Sequence, residues 1–201
     1  MWVVKLGGSL LGTPELNEWL SILAEHSDGR IVIVPGGGAF ADAVRDHQAA
    51  GGYDNVAAHH MALLAMEQYG LVFKSLQPTL AMAASELEIA ERSWQHRAIV
   101  WLPSQMVLAE EGIPPSWDVT SDSLAAWLAR KIGADRLVLV KHECVVEQPV
   151  PVHRLMDAGV LDAAFEKFAS GLSCPIHIVG KSRYAEFAAA WVGGPIPERA
   201  I

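Results

Sequence analysis

The chain has 201 residues, 51% of them hydrophobic, and a net charge of −8 with no cluster of lysine or arginine. That is enough apolar material for one substantial core and argues against disorder, and the lack of a basic patch argues against a grip on nucleic acid driven by counterion release. No apolar run approaches the ~20 residues of a membrane span and no signal-peptide pattern precedes Lys5, so a single cytoplasmic domain over residues 1–201 is expected. Two distant cysteines, Cys144 and Cys174, give no disulfide framework, and each reads as a small buried apolar side chain.

In chain order, short runs rich in β-branched residues at Trp2–Leu6, Ile31–Val34, Ala98–Leu102, Arg136–Val140 and Pro175–Val179 read as strands. Between them, Glu15–Ser27, Phe40–Ala50, Val56–Phe73, Ser85–Arg92, Asp122–Ile132, Val160–Ser170 and Ser182–Trp191 fit a helical period. This alternation predicts an α/β fold around a mainly parallel sheet, in which ligands gather at the carboxyl ends of the strands. The three prolines of Pro103–Trp117 mark an irregular connection, and Gly193–Pro197 is neither regular helix nor central strand.

Two strand ends carry glycine turns. Trp2–Leu6 runs through Lys5 into Gly7-Gly8-Ser9, and Ile31–Val34 runs into Pro35-Gly36-Gly37-Gly38. Glycine lets backbone N–H groups approach phosphoryl oxygens, a following helix N-terminus adds partial positive charge, and Lys5 supplies a full one. The pattern is not a P-loop, because the lysine precedes the glycines. Nor is it a dinucleotide fingerprint, because no Gly-x-Gly-x-x-Gly opens a helix. A different phosphate-handling fold is implied.

Further on, Trp117-Asp118-Val119-Thr120-Ser121-Asp122-Ser123 forms a polar loop that opens a helix. One acidic or hydroxyl residue there serves as a cap, but Asp118 and Asp122 together exceed that need. A carboxylate beside a phosphate site makes sense if it fixes the lysine ammonium or binds Mg²⁺.

The segments Lys5-Leu6-Gly7-Gly8-Ser9, Pro35-Gly36-Gly37-Gly38-Ala39-Phe40-Ala41 and Thr120-Ser121-Asp122-Ser123-Leu124-Ala125-Ala126, in that order and spacing, resemble the amino acid kinase family. The resemblance implies a three-layer αβα sandwich and ATP-dependent, Mg²⁺-assisted transfer of a phosphoryl group to a small phosphate or carboxylate substrate. By that resemblance Lys5 and the turns Gly7, Gly8, Ser9 and Gly36, Gly37, Gly38 hold the phosphoryl group in flight. By the same resemblance Asp122 organises the catalytic lysines and contacts Mg-ATP. Many members add a lysine in a late Gly-Gly-Met-x-x-Lys segment, which Val152 to Phe168 lacks; Lys141 and Lys181, at strand ends, are the substitutes. Where the wider family often has Thr-Asp-x-Asp-Gly, this chain has Lys141-His142-Glu143-Cys144-Val145.

Residues 36–45 with Ala58–Gly70 are similar to the short kinases of methanofuran biosynthesis, which implies a phosphorylated aminomethylfuran alcohol as acceptor and Arg45, His59 and His60 as acceptor contacts. The same fold also admits a carboxylate or carbamate kinase, or a non-catalytic nucleotide-binding protein. His59 and His60 are a poor metal pair, since adjacent helical residues point about 100° apart. Homo-oligomers are usual in the family, and Val56–Phe73 is the candidate subunit contact, with an internal core face as the alternative. Met61, Met66, Trp19, Trp94, Trp101, Trp127 and Trp191 are core or contact candidates.

Overall fold

Strands buried on both faces are predominantly apolar, and in the computed structural model, which describes residues 1–142 and 150–191, the buried departures within the strands are Lys5 and His177. Six strands, β1 (Trp2–Leu6), β2 (Ile31–Pro35), β3 (Ala81–Ala83), β4 (Ile99–Trp101), β5 (Arg136–Lys141) and β6 (Ile176–Gly180), pair in the order β3-β4-β2-β1-β5-β6, every pair parallel. The helices are α1 (Pro14–His26), α2 (Gly38–Gly51), α3 (Asn55–Leu76), α4 (Glu86–Ser93), α5 (Ser104–Leu108), α6 (Ser121–Lys131), α7 (Val152–Asp157), α8 (Phe165–Ala169) and α9 (Tyr184–Trp191). They cover both faces, giving the expected three-layer αβα sandwich. No helix among the described residues is long and apolar enough to cross a membrane.

Strand parity divides the core. Val3, Val34, Leu137, Leu139 and Ile178 pack with α6 and α8 on one face, whereas Val4, Leu6, Ile33, Val138 and Val140 pack with Trp19 and Leu20 of α1 and Phe187 of α9 on the other. Lys5 shares the parity of Val3, and Lys141 that of Leu139, so both lysines belong to the α6 face. The direction in which strands are added reverses between β1 and β5: from β1 the chain winds outward through β2, β3 and β4, then returns to β5 on the other side of β1. The carboxyl ends of β1 and β5 therefore flank the topological switch point, where open α/β sheets bind ligands.

Several expectations need correction. β3 was absent from the sequence reading because Ala-Met-Ala is too short and too poor in β-formers to stand out. Ser104–Leu108 forms a short helix inside the proline-rich connection. The expected helix Val160–Ser170 begins only at Phe165, because Val160 and Leu161 follow the left-handed Gly159 that ends α7. Its apolar side chains are core, as their spacing suggested, but the backbone before Phe165 is not helical. Trp94 is not part of the core: 84% of it is exposed. Trp19, Trp101 and Trp127 are buried. The readings at Glu143, Cys144 and Val145 and at Gly193–Pro197 fall outside the described residues.

α3 serves two purposes. Leu63, Met66, Tyr69 and Phe73 face the core, while Val56, Met61, Leu64 and Leu71 stay exposed along its outer side. Asp54 caps it, accepting the Ala57 N–H at 2.8 Å.

The two glycine turns lie against each other, backbone on backbone. A Cβ on Gly8 would stand 2.2 Å from the Gly38 nitrogen, and one on Gly36 would stand 2.4 Å from the Gly8 nitrogen. Neither neighbour is a side chain that could swing away. Gly8→Ala and Gly36→Ala are each expected to destabilise the fold by about 1–3 kcal/mol, the usual cost of forced overpacking, as measured by urea unfolding.

Candidate active site

At the switch point, the residues brought together are Lys5 from β1, Lys141 from β5 and Asp122 from the first turn of α6. The Lys5 ammonium lies 2.8 Å from Asp122 Oδ1, and Lys141 Nζ donates to Asp122 Oδ2 at 2.5 Å. All three side chains are largely buried, the most exposed being Lys141 at 15%. Burial alone would raise the Asp122 pKa, but the Lys5 and Lys141 charges outweigh it and hold the carboxyl below its ordinary value. Burial, reinforced by the positive charge of Lys5, lowers the Lys141 pKa to about 8 against the opposing pull of Asp122 and Asp162.

Lys181 is not part of this cluster. It sits in a 3-10 turn, Lys181–Arg183, with its ammonium 3.4 Å from Glu15 and its carbonyl accepting the Trp19 indole N–H at 2.7 Å. Of the two proposed substitutes, Lys141 is the one beside Lys5. Asp118 is also elsewhere: it is exposed, and its carboxylate accepts the Ser116 hydroxyl.

The donor set does not fit a protein-held Mg²⁺. Each Asp122 oxygen already faces an ammonium, so a cation there would have to displace a lysine. Among the described residues no group of three His, Cys, Asp or Glu side chains could hold a metal ion. Of the two uses foreseen for a carboxylate here, fixing the lysines is the one these contacts match.

The turn amides divide into two groups. Gly7 donates to Val140 O at 3.2 Å and Gly36 to Leu6 O at 2.9 Å, so these two N–H groups are consumed in prolonging the strand ladders. Gly8 and Ser9 open a 3-10 turn, Gly8–Leu10, and Gly38 opens α2, where N–H groups have no acceptor one turn back. Only the second turn leads straight into an α-helix, because α1 starts at Pro14. Helix-dipole attraction is thus available at Gly37–Gly38 rather than at both turns.

A cavity of about 280 Å³ opens from these turns, lined by Gly8, Ser9, Gly37 and Gly38 at one end. Arg45 and His59 are also in its lining. His60 is not, being exposed on the next face of α3. Burial, and secondarily the charge of His60, hold the His59 pKa below its ordinary value, so that its ring is neutral at neutral pH. Leu63, Met66, Val119, Leu124 and Trp117 supply an apolar wall. The Arg45 guanidinium stacks 4.5 Å from the Trp117 ring centre, and the indole N–H donates to Gln48 Oε1 at 2.6 Å.

Trp117, Gln48 and Asp162 were missed by the sequence reading. Trp117 had a signal, as an aromatic residue opening the polar loop. Asp162 had none: its carboxylate accepts the N–H groups of Thr120 and Ser123, each at 3.0 Å, and the Thr120 hydroxyl at 2.7 Å, across about 40 residues of sequence.

A sequence profile described as "Amino acid kinase family" matches residues 1–143. The chain is 30% identical over 145 residues to the [5-(aminomethyl)furan-3-yl]methyl phosphate kinase of Methanocaldococcus jannaschii, a match covering 69% of this chain and 64%, less than two thirds, of that relative. The fold matches the uridylate kinase of Archaeoglobus fulgidus with a TM-score of 0.76 at 18% identity, covering 100% of this chain and 99% of that one. It also matches the UMP kinase of Bacillus anthracis with a TM-score of 0.72 at 15% identity, covering 99% and 94%.

Asp122→Asn would leave two buried ammonium groups without a counter-charge and is expected to destabilise by about 3–5 kcal/mol, as for other broken buried pairs. The pH dependence has a definite sign. The depressed Asp122 pKa contributes stability above the ordinary carboxylate pKa, lost as pH falls through the folded value. The Lys141 penalty is fully present below about pH 8 and fades as pH rises toward its unfolded value of 10.5. Urea unfolding of the wild type and Asp122→Asn between pH 3 and 10 checks both limbs.

Proposed function

The chain belongs to the amino acid kinase family, and we propose that it transfers the γ-phosphoryl group of ATP to a small phosphorylated acceptor of the aminomethylfuran type. The observation that carries this reading is the junction of Lys5, Asp122 and Lys141 at the sheet's switch point, next to the two abutting glycine turns. Two ammonium groups held by one carboxylate match the spread negative charge of a loose phosphoryl-transfer transition state. The free amides at Gly8, Ser9 and Gly38 would add donors that need no rearrangement as the reaction proceeds. The bond from the β-phosphate bridging oxygen to the γ-phosphorus breaks, a bond forms to an acceptor phosphate oxygen, and ADP and a diphosphate leave. No general base is required, because that oxygen is already anionic at neutral pH. Mg²⁺ would arrive on the ATP phosphates rather than on a protein site.

The acceptor cavity supports the finer part of the reading. Its apolar wall suits a small planar ring, and Arg45, braced on Trp117, suits an anionic substituent. The relative from Methanocaldococcus jannaschii is named for an acceptor with both features. We also assign self-association to the outer face of α3, where Val56, Met61, Leu64 and Leu71 are exposed on one helix. Leu64→Glu should then shift the chain to a monomer in light-scattering chromatography.

Incubation with Mg-ATP and separate acceptors, an aminomethylfuran phosphate, UMP, aspartate and carbamate, tests the reaction. Diphosphate formation only on the furan phosphate is expected. Turnover only on aspartate or carbamate would replace the acceptor, and nucleotide binding with no turnover would overturn catalysis. Lys5→Ala should lose at least ~100-fold in rate while still folding. kcat/KM for ATP should fall as pH rises through about 8, where Lys141 in the free protein loses its charge.

A further inference from the structure

The first turn of α6 carries Asp122, yet its own N-cap residue does not cap it. Thr120 has no side-chain capping bond. Its hydroxyl instead donates to Asp162 Oδ2 at 2.7 Å, turning a usual acceptor into a donor. The acceptor comes from the segment between α7 and α8. Asp162 Oδ2 takes the N–H groups of both Thr120 and Ser123, at 3.0 Å each, and Oδ1 takes the Ser123 hydroxyl. One carboxylate therefore grips the residues on both sides of the Ser121-Asp122 pair. A second clasp lies alongside, where Ala164 N–H donates to Asp118 O at 3.0 Å.

We infer that Asp162 is a positioning residue of the phosphoryl-transfer site, locking the first turn of α6 so that Asp122 holds the Lys5 and Lys141 ammonium groups in register. The inference rests on the kinase reading for its catalytic consequence, but its structural half does not. A local serine, threonine or aspartate would satisfy the same N–H groups without ordering a distant loop, so helix capping alone does not account for the arrangement. The carboxylate also fills the anion-attracting end of α6, which keeps a substrate phosphate from docking there instead of at the glycine turns. The charged groups facing Lys141 are Asp122 from α6, Lys5 from β1 and Asp162 from the α7–α8 segment. Asp162 is the one whose removal leaves the Asp122 bridge chemically intact.

Asp162→Ala is the discriminating variant, since it removes every bond from this carboxylate to the first turn of α6, whereas Asp162→Asn, whose amide oxygen can still accept the backbone N–H groups, should recover much of the lost rate. Steady-state kinetics of Asp162→Ala should show a kcat loss of ~10²-fold, the scale of a small misplacement of reacting groups, with KM for ATP changed less than about threefold. In lysine-¹³Cε-labelled protein, with the resonance assigned through Lys141→Arg, the Lys141 titration midpoint should move below about 8. The milder Ser123→Ala, which removes one bond to Asp162, should give a smaller kcat loss in the same direction. A thermal midpoint that falls while kcat and the Lys141 titration keep wild-type values would make Asp162 a structural cap and overturn the inference. If the wild type transfers no phosphoryl group to any acceptor, the kinase reading fails on its own. The titration then decides alone: a Lys141 midpoint no lower in Asp162→Ala than in Asp162→Asn, which removes only the charge, sinks the inference, and a further fall in Asp162→Ala sustains it.

Discussion

Everything at the candidate site follows from two ammonium groups sharing one buried carboxylate. Asp122 can neutralise only one of Lys5 and Lys141, and Asp162 spends its carboxylate on the first turn of α6, so the bridge itself is short of one negative charge in a place where water is scarce. The shortfall shows at Lys141, the more exposed of the two lysines, whose pKa burial and the charge of Lys5 lower to about 8. A dry site with surplus positive charge is costly for the empty protein and attractive to an anion for the same reason. On the proposed reaction, the phosphoryl group in transit is the missing counter-charge, and stability is traded for transition-state affinity.

The junction is possible only because of where the sheet reverses. β1 and β5 are neighbours in space but separated by more than a hundred residues, and their registry sets Leu6 beside Val140. Lys5 therefore lies level with Leu139, and Lys141 follows on the same face two residues nearer the carboxyl end of the neighbouring strand. Parity sends both to the face covered by α6, whose buried first turn arrives from above with an acidic residue favoured by its dipole. Three unrelated segments meet without any of them being irregular.

Much of this was legible in the sequence. The alternation of apolar strands and amphipathic helices gave the layers, and five strands read true because β-branched runs buried on both faces leave little ambiguity. Lys5, Asp122 and the glycine turns could be singled out because each breaks a local rule, a charge in a buried strand or consecutive glycines at its end. Lys141 could be proposed but not separated from Lys181, since both follow apolar strands; only the tertiary choice between Asp122 and Glu15 tells them apart. Asp162 was illegible. Its neighbours Val160, Leu161 and Phe165 read as one helix, and a carboxylate acting across 40 residues leaves no periodic trace. The Trp117–Arg45 stack likewise depends on how a loop folds back on α2.

The glycine turns show why a functional signal and a structural one can coincide in the same residues. Gly8 and Gly36 are required because two backbones touch, with no room for a side chain on either. Gly7 and Gly36 spend their amides on the adjoining strands, which fixes the turns rigidly to the sheet. Fixed in this way, the next residues along, Gly8, Ser9 and Gly38, are left presenting N–H groups that no helical acceptor can reach. On the proposed function, the anion cradle at this corner would be a consequence of how tightly β1 and β2 are finished off. A mutation that relaxed the packing would be expected to blunt the cradle as well, because the same contact creates both.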